Sequence, residues 1–160
     1  MITEKLQKAF NDQIAAEMWS SNLYLSMSFF LERSGLSGFA SWLKKQSQEE
    51  LAHAYAMADF VSKRGGVALV GAIEAVPTTW ETPLALCEQV YKHECHVSAL
   101  IDGLLEVAKA ENDNASQDFI WTFVREQIEE EATAQGIVDK VKLAGASALL
   151  MLDGQLAQRQ

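Results

Sequence analysis

A sparse set of polar residues occurs twice in this 160-residue chain, at a constant offset of 77 positions. The set combines carboxylates, one amide and one imidazole within segments that are otherwise apolar and helix-forming. Matched positions of this kind in two halves of a chain indicate a repeated helical hairpin and favour a buried site for two metal ions. The pairs are Glu17 with Glu94, Glu49 with Glu126, Glu50 with Gln127, and His53 with Glu130.

Long helices are predicted because the chain contains only two prolines and nine glycines. Glycines that follow basic or small residues give the stop signals, and threonine, serine and asparagine give the caps. The predicted bounds are Thr3 to about Arg33, after Ser37 to Lys63, Thr82-Pro83 to about Glu111, Asn114 (in a capping box with Gln117) to about Leu143, and roughly Ala146 to Ala157.

The lengths of the connections determine how these helices are predicted to pack. Short turns near residues 35 and 113 make two antiparallel hairpins, whereas the connection over residues 65–82 can extend roughly 55 Å. Each long helix spans roughly 40 Å, so this connection can cross the whole bundle. The sequence therefore predicts an all-α four-helix bundle with one long crossover and a short fifth C-terminal helix, as a single domain over residues 1–160.

Each long helix carries an apolar stripe at spacings of three and four that polar residues interrupt at mid-length. Glu17 lies 18 residues before the turn at Gly35, and Glu50 and His53 lie 15 and 18 residues after it. The second hairpin repeats these heights almost unchanged. Because packed helices sit roughly 8–10 Å apart, the inward side chains of both hairpins are expected to converge on one small volume.

Carboxylates buried in this volume require compensation, because each costs several kcal/mol unless it is paired. No lysine or arginine interrupts the four stripes as a counter-ion. The remaining ways to compensate the carboxylates are protonation and bound cations. His53, three residues after Glu50, favours a bound metal because the two share a helix face. Carboxylates with an imidazole suit iron, manganese or zinc rather than copper(I).

A second acidic group precedes the first by one residue and consists of Glu49, Glu126 and Glu129. Glu126 and Glu129 repel each other at helical spacing, which weakens a helix by a few tenths of a kcal/mol. The offset of 77 also pairs Glu49 with Glu126, which favours an accessory metal site over an ordinary acidic face. Glu131 is interpreted differently, as part of a solvated acidic face.

The overall composition disfavours several classes of protein. Net charge is −9, which argues against a nucleic-acid partner and favours cationic ones. No segment approaches the roughly 18 apolar residues of a membrane span, and the charged first residues lack a signal-peptide core. Cys87 and Cys95 lie eight apart on one predicted helix, too far for a mutual disulfide. A reduced, cytoplasmic protein without a membrane partner is therefore expected.

The five predicted helices and the ligand spacing resemble the bacterial non-haem ferritins over the whole chain. The resemblance implies a di-iron centre within each subunit, with Glu50 bridging the irons, and a third, accessory iron site. The implied residues are Glu17, Glu50 and His53 for the first iron, Glu94 and Glu130 for the second, Gln127 and Tyr24 beside the centre, and Glu49, Glu126 and Glu129 with Glu130 for the third.

The resemblance implies a ferroxidase that oxidises iron(II) with dioxygen or hydrogen peroxide and stores the iron(III) mineral inside a shell of 24 subunits. Leu51 stands where bacterioferritins place their haem-binding methionine, so no haem is expected. A non-catalytic storage subunit is disfavoured by the complete ligand set. A DNA-protecting mini-ferritin is disfavoured by the short end Gln158-Arg159-Gln160, and a di-iron peroxidase or oxygenase by the lack of Cys-x-x-Cys.

Several residues stay open between two interpretations. Tyr24 is either a neighbour of the site or core packing, and His93 with His96 form either a small metal site or ordinary surface histidines. Gln117 and Ile120 match the acidic pair of the animal ferritin three-fold pore, and both are uncharged here. The path by which iron enters is therefore not predicted.

Overall fold

Residues 1–158, which are the residues that this computed structural model describes, contain five α-helices and no strand. Arg159 and Gln160, the last two residues of the segment Gln158-Arg159-Gln160, lie outside that range. The helices are α1 (Glu4–Arg33), α2 (Ser37–Lys63), α3 (Pro83–Ala110), α4 (Asn114–Leu143) and α5 (Ala146–Ala157).

The four long helices form two antiparallel hairpins, α1 with α2 and α3 with α4, and α1 also packs on α3. The connection between α2 and α3 runs from one end of the bundle to the other. The short α5 packs mainly on α2 and touches α4. The predicted all-α bundle with a crossover and a fifth helix is thus confirmed. Over residues 1–158, no helix is long and apolar enough to cross a membrane.

Two of the predicted caps match the structure. The Thr3 hydroxyl accepts a hydrogen bond from the Leu6 amide at 3.3 Å, and the Thr82 hydroxyl accepts one from the Ala85 amide at 3.0 Å. The start of α2 differs by one residue, because Ser37 is already helical and no side-chain cap comes from the preceding residue.

The predicted capping box at the start of α4 is wrong. Asp113, not Asn114, is the N-cap, and its carboxylate accepts from the Ser116 amide at 2.9 Å. The cause is the Arg64 guanidinium at the end of α2, which donates to both Asp113 oxygens at 2.9 and 2.8 Å. This bidentate pair fixes Asp113 at the helix start and ties the turn of the second hairpin to the end of α2.

The apolar core is divided into two clusters by a polar layer at mid-bundle. One cluster surrounds the first turn and includes Leu31 and Leu43; the other fills the opposite end and includes Phe10 and Ile101. Each such fully buried side chain contributes about 1.5–3 kcal/mol relative to exposure. The polar layer therefore lies between the two apolar clusters, which separate it from both ends of the bundle.

The fifth helix supplies the missing cap of α2. Asp153 accepts a hydrogen bond from the Phe39 amide at 2.9 Å through its side-chain oxygen. The approach is close because residue 38 is glycine: a Cβ at Gly38 would lie 1.8 Å from the Asp153 carbonyl oxygen. Glycine at this position therefore permits α5 to dock.

Replacing Gly38 by alanine is expected to displace α5 from α2, because the carbonyl it meets is backbone and cannot rotate away. Amide hydrogen exchange within α5 should accelerate in this variant. Gly103→Ala is the matched control, since nothing lies within 4 Å of a Cβ added there. That substitution should stabilise α3 by about 1 kcal/mol through helix propensity. Unchanged exchange in α5 of the Gly38 variant would contradict the docking argument.

Candidate metal centre

Three side chains from two helices meet in the polar layer. Glu17 on α1 and Glu50 and His53 on α2 place one ligand atom each within 4.8 Å of the others. Within residues 1–158 no other group of three or more His, Cys, Asp or Glu side chains does so. His53 Nδ1 lies 3.4 Å from Glu50 Oε2 and 3.9 Å from Glu17 Oε2. The helical spacing of three therefore aims the imidazole and the Glu50 carboxylate at the same point.

Two carboxylate oxygens of this trio are buried without a hydrogen-bond donor among the described residues. They are Oε2 of Glu17 and Oε2 of Glu50, on side chains that are 1% and 2% exposed. The other Glu17 oxygen accepts from Gln13 Nε2 at 2.7 Å. A buried acceptor left unsatisfied costs about 1–3 kcal/mol, and more when charged. A metal cation is the partner that these oxygens and the His53 nitrogen fit.

The protonation of the metal-free trio follows from its burial. Burial, together with the neighbouring Glu17 carboxylate, raises the pKa of Glu50 to about 9. Burial also opposes the ionisation of Glu17, but the nearby His53 imidazole, 3.9 Å from its Oε2, and the Gln13 amide lower its pKa below the usual value. Burial disfavours the His53 imidazolium, yet the surrounding carboxylates raise its pKa to about 12. At neutral pH the trio therefore holds protons on Glu50 and His53 that a metal must displace.

The second pair of predicted carboxylates, Glu94 on α3 and Glu130 on α4, has neutral partners instead. The Tyr24 hydroxyl donates to Glu94 Oε1, and Gln127 Nε2 donates to Glu94 Oε2 at 3.1 Å. Gln46 Nε2 donates to Glu130 Oε2 at 2.7 Å. Burial raises the pKa of both groups, that of Glu130 to about 7 with help from the Glu94 charge. The two halves of the site are thus chemically unequal.

The charges of the two halves act on each other. The Glu94 carboxylate adds to the rise in the pKa of Glu50, and the Glu17 carboxylate adds to the rise in that of Glu94. Both carboxylate pairs therefore face one interior, although Glu94 and Glu130 do not join the trio within 4.8 Å.

The predicted accessory group lies at the surface beside His53. Glu49, Glu126 and Glu129 are exposed, and Glu126 Oε1 lies 3.2 Å from His53 Nε2. Hydrogen bonding to His53 lowers the pKa of Glu126 despite partial burial, whereas burial and the charge of Glu126 raise that of Glu49. His53 therefore faces the buried carboxylates Glu17 and Glu50 through Nδ1, and the exposed Glu126 through Nε2.

The structure gives the open residues specific surroundings. Tyr24 is fully buried and donates to Glu94, so it is both core packing and a neighbour of the site. Burial, followed by the charge of Glu94, raises its pKa well above the usual value, which keeps the hydroxyl protonated. His93 Nε2 lies 2.7 Å from the Ser20 hydroxyl, and burial followed by repulsion from His96 lowers its pKa to about 4.

Several polar residues that surround the predicted ligands have no role that the sequence predicts. Gln13 and Gln46 interrupt the apolar stripes and could have been noticed for that reason; both donate to predicted ligands. Glu131 differs from the expected solvated residue, because its half-buried carboxylate accepts a hydrogen bond from the Ser98 hydroxyl.

Comparison with known proteins gives consistent matches along the chain. Residues 7–144 match the family of ferritin-like domains. The bacterial non-heme ferritin of Bacteroides fragilis strain 638R is 65% identical over 159 residues, which is 99% of this chain and 100% of the relative. That of Campylobacter jejuni is 32% identical over 145 residues, 91% and 87% of the two chains. An open pore ferritin from Archaeoglobus fulgidus superposes with a TM-score of 0.97 at 48% identity, covering 100% of this chain and 99% of that one.

Proposed function

We propose, from the premise that this chain belongs to the ferritin family, that it stores iron after oxidising iron(II) at the buried centre. The observation that carries the proposal is the pair of buried, donor-free carboxylate oxygens that face the His53 nitrogen. Without a bound cation, two buried carboxylate oxygens that lack a donor destabilise the folded protein.

Iron is the substrate in this proposal, and the residues divide into two positions. Glu17, Glu50 and His53 bind the first iron(II), and Glu94 and Glu130 bind the second, with Glu50 between the two. Two iron(II) ions give up one electron each, and one dioxygen takes up both electrons and two protons to become hydrogen peroxide. If hydrogen peroxide is the oxidant, the same two electrons and two protons convert it to two waters. The protein contributes the spacing of the irons and their open coordination positions.

The surroundings support this chemistry by limiting water and fixing the ligands. The two apolar clusters close the polar layer at both ends. Tyr24 and Gln127 hold the Glu94 carboxylate, and Gln46 holds that of Glu130. We assign the exposed acids beside His53, which are Glu49, Glu126 and Glu129, to a third iron position that connects the centre with the surface.

We further propose a shell of 24 subunits, in each of which residues 1–160 form one domain. Exposed apolar side chains support assembly, because a lone subunit presents Val70, Leu143 and Met151 with 73%, 88% and 70% of their surface exposed. Contacts between subunits would remove such surface from water.

Aerobic addition of iron(II) followed by size separation tests storage. Iron should remain with a particle of 24 chains, in large excess over the three proposed positions per chain. A particle of 12 chains would favour a mini-ferritin. Retention of only two or three irons per chain would contradict storage and favour a di-iron peroxidase. A crystal soaked in iron(II) without oxygen should then locate metal at the named ligands.

A further inference from the structure

We infer that Glu131 is a positioning residue for the second metal position, and that it acts through Ser98 and Gln127 on Glu94. The inference rests on the proposed function, which assigns Glu94 to that position.

A continuous chain of hydrogen bonds joins these four residues between α3 and α4. The Ser98 hydroxyl donates to Glu131 Oε1. Gln127 Nε2 lies 3.3 Å from Ser98 Oγ, 3.1 Å from Glu94 Oε2 and 3.2 Å from the Glu94 carbonyl oxygen. Ser98, Gln127 and Glu131 all line a surface groove of about 440 Å³, although Gln127 itself is only 6% exposed.

The direction of every bond in this chain follows from the charge of Glu131. A carboxylate only accepts, and a serine hydroxyl has a single proton. The Ser98 hydroxyl must therefore donate its one hydrogen bond to Glu131. Toward Gln127, the Ser98 oxygen can then only accept. The group of Gln127 that faces Ser98 has to be the NH₂, and the same nitrogen then reaches Glu94.

The opposite amide orientation would be unfavourable at Glu94. The Gln127 oxygen would then face the Glu94 carboxylate and carbonyl, which are both acceptors. In the observed orientation Glu94 receives one donor on each oxygen, from Tyr24 and from Gln127. A carboxylate has about four lone-pair sites, so Glu94 stays able to bind a metal while its plane is fixed. Partners of this outer kind typically change metal affinity by 10–100-fold.

Glu131→Gln is the informative substitution because it keeps the size of the side chain. The new amide can donate to Ser98, whose proton is then released toward the Gln127 oxygen. Gln127 thereby loses one of the interactions that turn its NH₂ toward Glu94, and only the Glu94 acceptors still orient it. Ser98→Ala breaks the same chain one step nearer the site, and Ser98→Thr keeps the hydroxyl. Asp102 lines the same groove but takes no part in this series of hydrogen bonds. Asp102→Asn is therefore the matched control.

The test is an anaerobic cobalt(II) titration of the assembled full-length protein, with calorimetry giving the affinities of the first and second ions. Glu131→Gln and Ser98→Ala should each lower the affinity for the second ion by about 10-fold and leave the affinity for the first ion unchanged. The double variant should be no weaker than Ser98→Ala alone. Ser98→Thr and Asp102→Asn should bind as the parent does, and particle size and thermal unfolding should be unchanged throughout.

The other outcomes overturn the inference in distinguishable ways. If the affinities for both ions fall equally, or if Asp102→Asn loses as much affinity, the effect comes from the general charge of the groove. If the losses of affinity in Glu131→Gln and Ser98→Ala add fully in the double variant, Glu131 does not act through Ser98. If the affinity for the second ion is unchanged in Glu131→Gln, Glu131 has no positioning role. If the parent binds two cobalt ions but does not oxidise iron(II), the proposed function fails while the inference is still tested by the variants. A parent that binds one ion contradicts both.

Discussion

Replacing Glu50 and His53 together by alanine is expected to abolish the fast phase of iron(II) oxidation while the shell still assembles. The double variant removes one of the two donor-free oxygens, the imidazole nitrogen and the carboxylate placed between the two positions. Loss of an outer partner alone typically costs 10–100-fold, so loss of these ligands should slow the reaction by more than about 100-fold. Stopped-flow absorbance after mixing with aerobic iron(II) measures the rate.

The matched control is Glu32→Ala with His96→Ala, which removes the same two side-chain types at exposed positions of α1 and α3. This control should oxidise iron(II) at the parent rate and form particles of the parent size. A double variant at Glu50 and His53 that keeps the parent rate would exclude the buried trio as the site of oxidation. Equal slowing of the control would assign the effect to general charge.

Binding of the first divalent ion is expected to weaken steeply as the pH falls. Between about pH 7 and pH 9 the metal-free trio holds one proton on Glu50, with a pKa of about 9, and one on His53, with a pKa of about 12. Metal ligands bind only in their deprotonated forms, so both protons must leave. The affinity should therefore fall by about 100-fold for each unit of pH in this window, and less steeply above about pH 9, where Glu50 is already ionised.

Calorimetric titration with cobalt(II), in buffers of different ionisation enthalpy, counts the protons released. The parent should release about two protons with the first ion, and Glu50→Gln should release about one because only the His53 proton remains to be displaced. A parent that releases none, with an affinity independent of pH, would mean that the metal-free trio is not protonated. The proposed competition between protons and metal would then be wrong.

The helices could be predicted from the sequence where their signals are local. Thr3 and Thr82 cap helices within three residues of themselves, so the pattern contains both partners. The start of α4 could not be predicted, because Arg64, which selects Asp113 over Asn114 as the cap, lies 49 residues away. Local rules allow either residue, and the choice is made by packing between hairpins.

The same distinction applies to the metal centre. The interrupted stripes place Glu50 and His53 on one helix face, so their shared direction follows from helical periodicity. The pairing of Gln46 with Glu130 spans 84 residues and depends on how two hairpins meet. Periodicity also put Glu131 outside the core, and only the groove between α3 and α4 shows that its carboxylate is half-buried. The helix face that carries the predicted ligands was thus predictable, but the donors that orient their side chains were not.

The docking of the C-terminal helix has a practical consequence for altering this protein. The helix that carries Glu50 and His53 begins under a carboxylate from Asp153, near the end of the chain. A version cut before α5, or one whose added C-terminal peptide pulls α5 away, would uncover the Phe39 amide and let the start of α2 fray. Labels and cargo fused at that terminus therefore have to preserve the contact between Asp153 and Phe39. Of the five helices within residues 1–158, the one without a proposed iron ligand supports the helix that carries three, Glu49, Glu50 and His53.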